Sequence, residues 1–248
     1  MKYKFLTKGL IATVAGACIA ATPTLQASVT FGGTATNSAS GQLLSATATF
    51  DIISGTNLQV TLSNLGAPVT QPSDVLECLF FNLDGAGTLA PVSAVLGTGS
   101  SVLNGPVPSG QTLGDQWEYL GGLSGTPNGA NRGISGAGLG IFGSGNFGSN
   151  SQNCDGVPFG IANGIASNAN GGVKDVTLED NSMVFTLRGL PAGFSLSKIN
   201  TVGFQYGTML APAEPLVIAH IMVVPEPTGL ALLAVGLGAF IVLRRHDR

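Results

Sequence analysis

Residues 45–54 alternate: Ala46, Ala48, Phe50 and Ile52 fall on one side, and Thr47, Thr49 and Asp51 on the other. A period of two predicts a strand with one buried face. Gly55-Thr56-Asn57 supplies a turn, after which Leu58, Val60 and Leu62 alternate with Gln59, Thr61 and Ser63. The two runs predict a hairpin that is wet on one side. Met183, Phe185 and Leu187 repeat the pattern against Val184, Thr186 and Arg188. Residues 75–83, VLECLFFNL, are apolar on both faces and predict a central strand. Further strands are expected at 202–206 and 216–223. No internal stretch shows a helical period with caps. Short strands punctuated by Gly, Pro, Asn and Ser clusters predict a mainly β fold, an antiparallel sandwich or jelly roll with long Gly-rich loops.

Residues 121–172 break this rhythm. Roughly a third of them are glycine, and Asn and Ser fill much of the rest. Ile134, Leu139, Ile141, Phe142, Phe159 and Ile161 make the segment too apolar for a linker. It is expected to pack over the sheets as ordered irregular structure, with one strand at 139–142.

The apolar runs without alternation lie at the two ends. Leu10 to Ala21 follows Lys2, Lys4 and Lys8 and precedes Thr22-Pro23-Thr24. A basic start, a short apolar stretch and a small residue at Ala27 make 1–27 a secretory signal peptide, cut before Ser28 by signal peptidase. At the other end Pro225-Glu226-Pro227 is followed by sixteen uncharged residues, 228–243, and then by Arg244, Arg245 and Arg248. Sixteen residues form a helix of ~24 Å, a short transmembrane span. The arginines hold its far end in the cytoplasm, and the amino-terminal lysines do the same at the start, so the middle lies outside.

Only 9% of the 248 residues are charged. Between the two ends stand four cations (Arg132, Lys174, Arg188 and Lys198) and eleven acids, a formal net charge of −7. Such a surface repels nucleic acid and anionic membrane, which excludes both as partners of the middle domain.

The order of Pro225-Glu226-Pro227, short helix and arginine cluster resembles the PEP-CTERM sorting signal of Gram-negative bacteria. Several internal blocks are similar to the ectodomains of exosortase-dependent surface proteins: Ser73-Asp74-Val75-Leu76, Phe80-Phe81-Asn82-Leu83-Asp84-Gly85, Asn131-Arg132-Gly133-Ile134, Gly138-Leu139-Gly140-Ile141-Phe142 and Phe204-Gln205-Tyr206-Gly207-Thr208. The resemblance implies three parts: 1–27 signal peptide, 28–223 ectodomain and 224–248 sorting tail. It implies cleavage by an exosortase at or near Pro225-Glu226-Pro227, a transient hold in the inner membrane, and a final place at the cell surface or in the secreted matrix. It brings no catalytic residues.

The remaining candidate chemistry is sparse. Cys78 and Cys154 survive signal removal, and an even pair in an oxidising compartment suggests a disulfide; the alternative is two separate thiols, with Cys78 buried as a small apolar residue. No Cys/His cluster suits zinc. Residues 143–148 match GxGxxG, but no helix can follow them, so they read as a glycine loop and not a dinucleotide site. His220 sits in an expected strand without a nucleophile elbow. Glu77, Asp84, Asp115 and Glu118 could supply a carboxylate pair for glycan hydrolysis, against a default of solvated faces and turn caps. Asp84-Gly85 and Asp155-Gly156 could bind Ca²⁺, but turn formation explains both without a metal. Trp117 and Tyr119 are the candidate ligand-binding pair, since exposed aromatics stack on sugars; the alternative puts the sole Trp in the core. The expectation is a structural or adhesive surface protein associated with exopolysaccharide or biofilm, with no catalysis, cofactor or metal. A carbohydrate-binding module is the second reading and a secreted glycan hydrolase the third.

Overall fold

Phe50 and Phe81 meet at 5.4 Å between ring centroids, and they belong to different sheets. The computed structural model describes residues 28–143, 145–150, 154 and 156–222. The strands are β1 (Val29–Thr36), β2 (Leu43–Ile53), β3 (Asn57–Asn64), β4 (Leu76–Leu83), β5 (Ala90–Leu96), β6 (Val102–Leu103) and β7 (Glu118–Gly121). They continue with β8 (Arg132–Ser135), β9 (Ile161–Ala162), β10 (Leu178–Asp180), β11 (Ser182–Arg188), β12 (Ile199–Tyr206), β13 (Leu216–Ile218) and β14 (His220–Met222). Among the described residues the single α-helical turn is α1 (Gly171–Lys174).

One sheet runs β14-β1-β2-β3-β11-β5, all antiparallel. The other runs β13-β12-β4-β9-β10-β6, with β8 and then β7 added beside β4. It is mixed, because β9 and β10 run parallel. The described residues are thus mainly β with almost no helix. Among the described residues, no helix is long and apolar enough to cross a membrane. The expected span at 228–243 lies outside the described residues, as do the expected signal peptide at 1–27, Pro225-Glu226-Pro227 and the terminal arginines.

The hairpin read from alternation is β2–β3, with Ile53 opposite Asn57. Ala46, Ala48 and Phe50 on β2 and Leu58, Val60 and Leu62 on β3 are fully buried, while the intervening Thr and Gln positions stay half-exposed. These side chains face Leu76, Leu79 and Phe81 of β4 and Phe204 of β12 in one shared core. Phe185 of β11 joins it beside Trp117, at 4.9 Å.

The second sheet is also covered on its outer face, which is why β4 is apolar on both sides. Cys78 and Phe80 pack outward against Ala130, Ala137 and Leu139. Val75, Ala162 and Leu178 pack against Val69 and Val173. The Gly-rich segment supplies much of this cover, as its apolar content predicts. The expected strand at 139–142 is instead a turn: Leu139 has φ 50°, and the Ile141 and Phe142 N–H groups both donate to the Gly138 carbonyl. Of the strand expected at 216–223, the described residues 216–222 form two short strands rather than one. β13 pairs with β12 and β14 with β1, so the chain changes sheets at Ala219.

Candidate functional site

Glu77 is set apart from its neighbours by a bulge. Leu76 stands opposite Tyr206 and Cys78 opposite Gln205, leaving Glu77 without a partner on β12. Its side chain is fully buried, and neither Oε atom has a hydrogen-bond partner. A β-carbon built on Gly160 would overlap Glu77 Oε1. One built on Gly136 would lie 3.2 Å from Oε2 and 3.4 Å from the Trp117 ring. Trp117, also fully buried, donates its indole N–H to Glu179 Oε1 and Oε2 at 3.2 and 3.1 Å. Glu179 on β10 has no exposed surface either.

Burial, followed by the nearby Glu179 and Glu214 charges, pushes Glu77 well above the usual carboxyl range. Burial does the same to Glu179, offset in part by the Trp117 N–H. Both groups therefore favour the neutral acid. The cluster is an interior acid pair capped by an indole, and it gives Trp117 no face for a ligand. The expected role of Trp117 as a sugar-stacking platform is corrected: the side chain packs between the sheets because its N–H finds an interior acceptor.

Asp115 behaves in the opposite way. Burial alone would raise its carboxyl, but N–H and side-chain groups of Thr112 and Asn150 outweigh that, and it lies below the usual range. Thr112 N and Asn150 N donate to Oδ2 and Oδ1, each at 2.7 Å. The carboxyl thus ties the turn at Leu113–Gln116 to the end of the GxGxxG segment. Gly148 N donates to Gly114 O at 2.8 Å, and Phe147 N to Trp117 O at 3.1 Å. Glu118 Oε2 accepts from Gly143 N at 2.8 Å.

Of the four carboxyls offered for glycan hydrolysis, Glu77, Asp115 and Glu118 are fully buried and Asp84 is exposed, accepting from Asn200 Nδ2 at 2.9 Å. The buried partner of Glu77 is Glu179, which sequence spacing missed. The expected Cys78–Cys154 bridge is also corrected: both are buried free thiols. Cys78 packs in the outer apolar cluster, whereas Cys154 donates to Gln116 O at 3.1 Å. Burial pushes both thiols up. His220 is exposed on edge strand β14. Among the described residues, no group of three or more His, Cys, Asp or Glu side chains is placed to hold a metal ion. Asp155 lies outside the described residues.

Tyr119 has a different setting from Trp117. It is 95% buried (5% exposed), yet it lines a cavity of about 430 Å³ with Gly87, Leu89, Pro91, Gly121 and Arg132. Burial raises its hydroxyl, and the Arg132 charge pulls it partly back. The Arg132 guanidinium lies close enough to the Tyr119 hydroxyl to lower it by hydrogen bonding as well as by charge, while neither Tyr119 Oη nor Arg132 Nε, both buried, meets regular hydrogen-bond geometry with any partner. Arg132 Nη2 donates to Gly87 O at 2.9 Å and Nη1 to Asn131 Oδ1 at 2.8 Å.

No protein-family model, curated protein or solved structure matches the chain. Among the three polar settings of the described residues, at Glu77, Asp115 and Tyr119, only the one beside Tyr119 and Arg132 combines a cavity, a cation and polar atoms without regular partners. The Glu77–Glu179 pair is enclosed by Trp117, Gly136 and Gly160.

Proposed function

We propose that the chain is an exported surface or extracellular-matrix protein with a structural or adhesive role, associated with exopolysaccharide. In this reading residues 28–223 are a β-sandwich ectodomain of jelly-roll type. An exosortase cuts at or near Pro225-Glu226-Pro227 after the 228–243 helix has held the chain in the inner membrane of a Gram-negative cell.

The observation that carries the reading is the pairing of β1 with β14. Thr30 stands opposite Met222 and Phe31 opposite Ile221 in antiparallel register. The first strand after the signal segment and the last before the sorting motif therefore leave the fold side by side, at one end. During export, before signal peptidase cuts at Ser28, both ends are held at one membrane, and neighbouring ends let the domain fold there without a linker that spans its length. The turn-rich, weakly charged β composition is consistent with life outside the cytoplasm.

Intact-mass measurement of the protein recovered from its native host tests the reading. The expected product begins near Ser28 and ends near Pro225-Glu226-Pro227, in the envelope or medium. Recovery of the chain from cytosol with Met1 and Arg248 both present would sink it.

A further inference from the structure

From the cavity beside Tyr119 we infer a binding site for a carboxylated sugar, a uronate unit of an acidic polysaccharide, with Arg132 as its anion-recognising group. The inference deepens the surface-protein reading and rests on it for the source of the ligand.

Four observations support it. First, Arg132 is a half-buried guanidinium whose hydrogen bonds go to a carbonyl and a carboxamide; no carboxyl group pairs with it among the described residues. A partly desolvated cation without a counter-charge is costly and waits for an anion. Second, Arg132 Nε and Tyr119 Oη both lack partners. Both atoms are covered in the unliganded fold, so an entering carboxylate accepts from guanidinium and phenol together once the Arg132 side chain shifts toward the cavity. Third, the rest of the lining is mixed: Leu89, Pro91 and Leu120 give apolar surface, and Gly87, Thr88, Gly121 and Gly122 bring backbone and a hydroxyl to the rim. A pyranose needs both kinds, since its ring carbons and hydroxyls alternate around the edge. The volume, about 430 Å³, admits one or two sugar units.

Fourth, the charge around the cavity runs against that of the domain. Three of the four cations between Ser28 and Met222 adjoin the 85–91 segment. Arg132 bonds Gly87 O, Arg188 stands opposite Ala90, and Lys198 Nζ lies 3.6 Å from a β-carbon built on Gly85. Asp84 is the acid of the same segment, hydrogen-bonded by Asn200, and it offsets one of the three cations. The local field thus attracts an anionic polymer to this end of an otherwise acidic surface. With one guanidinium in the pocket, a singly charged carboxylate is matched better than a dianionic phosphate.

Isothermal titration of the full chain in mild detergent tests the inference, using a glucuronate trisaccharide, a neutral glucose trisaccharide and inorganic phosphate as probes. The glucuronate probe is expected to bind at least tenfold more tightly than the neutral one, and less tightly as salt is raised. Arg132→Gln should weaken it about tenfold to a hundredfold, and Tyr119→Phe about threefold to tenfold. A thermal scan checks that each variant is folded. Should Arg132→Gln fail to fold, Tyr119→Phe decides alone, because it removes one oxygen and keeps the packing. Equal binding of glucuronate and neutral probes, no loss in a folded variant, or no binding at all would overturn the inference. Phosphate binding as tight as glucuronate would reduce the pocket to a simple anion site and overturn the sugar assignment. None of these results bears on the trimmed mass at the cell surface, so a correctly processed protein that ignores glucuronate refutes only this step.

Discussion

Trp117 Nε1 lies 3.2 and 3.1 Å from the two carboxyl oxygens of Glu179, and neither residue has any exposed surface. The pair spans 62 positions of sequence and pins β10 to the segment that leads into β7. Trp117 is therefore a core residue with a satisfied polar edge. Its emission is expected at short wavelength, protected from acrylamide and unchanged by added polysaccharide. Trp117→Ala should lower unfolding free energy by about 3–5 kcal/mol, read from the denaturant midpoint. A red-shifted emission that acrylamide quenches freely would contradict the buried placement.

The acid pair makes stability depend on pH. An ordinary Glu titrates near 4.5 in the unfolded chain, whereas burial holds Glu77 and Glu179 well above that in the fold. Below about pH 4.5 both states carry the protons and no penalty exists. Above it the unfolded chain releases protons that the folded chain retains, so stability falls as pH rises until the folded groups ionise. The slope is at most about 1.4 kcal/mol per pH unit for each group. Urea unfolding at pH 5 and pH 8 should show lower stability at pH 8. Glu77→Gln and Glu179→Gln should each flatten the difference. An identical slope in wild type and both variants would refute the coupling.

Cys78 and Cys154 give a prediction opposite to the one their number suggests. Both thiols are buried, and burial raises both. Thiolate is the reacting form, so neither is expected to react with iodoacetamide in the folded protein. Both should react once it is unfolded in denaturant, without reductant. A processed chain that gains two protons in mass only after reduction would show a bridge instead.

How far the fold could be read from sequence followed one physical distinction. β2, β3 and β11 were legible because each has one wet face, and a period of two records burial directly. β4 was legible for the opposite reason, since its second face is also covered. β1 was not, because Gly32 and Gly33 interrupt the alternation and Phe31 is its main inward anchor. The short strands β7 to β10 were hidden too: β8 is a strand because β4 and β7 flank it, which no local pattern reports. The same limit applied to the chemistry. Glu179 beside Asp180 resembles a solvated pair, and its burial depends on an indole far away in the chain. Arg132 was visible as a rare cation in a distinctive block, but its missing counter-charge emerges only once Gly87 and Tyr119 are brought to it.

The GxGxxG segment supplies the last test, because its two ends have different surroundings. A β-carbon on Gly148 would overlap the Asp115 carboxyl and lie 2.7 Å from Asp115 N, whereas one on Gly143 would meet nothing within 4 Å. The Asp115 carboxyl cannot retreat, since Thr112 and Asn150 hold it from both sides. Gly148→Ala must therefore displace the loop or break those bonds, and it should destabilise by about 1–3 kcal/mol. Gly143→Ala keeps the N–H that Glu118 accepts and should stay within about 0.5 kcal/mol of wild type. Asp115→Asn should resemble Gly148→Ala in size, because it weakens the same four contacts. A nucleotide-binding loop would behave otherwise, with both glycines answering to ligand affinity and neither to thermal stability. Equal melting temperatures for wild type and Gly148→Ala would show that Asp115 does not anchor this loop.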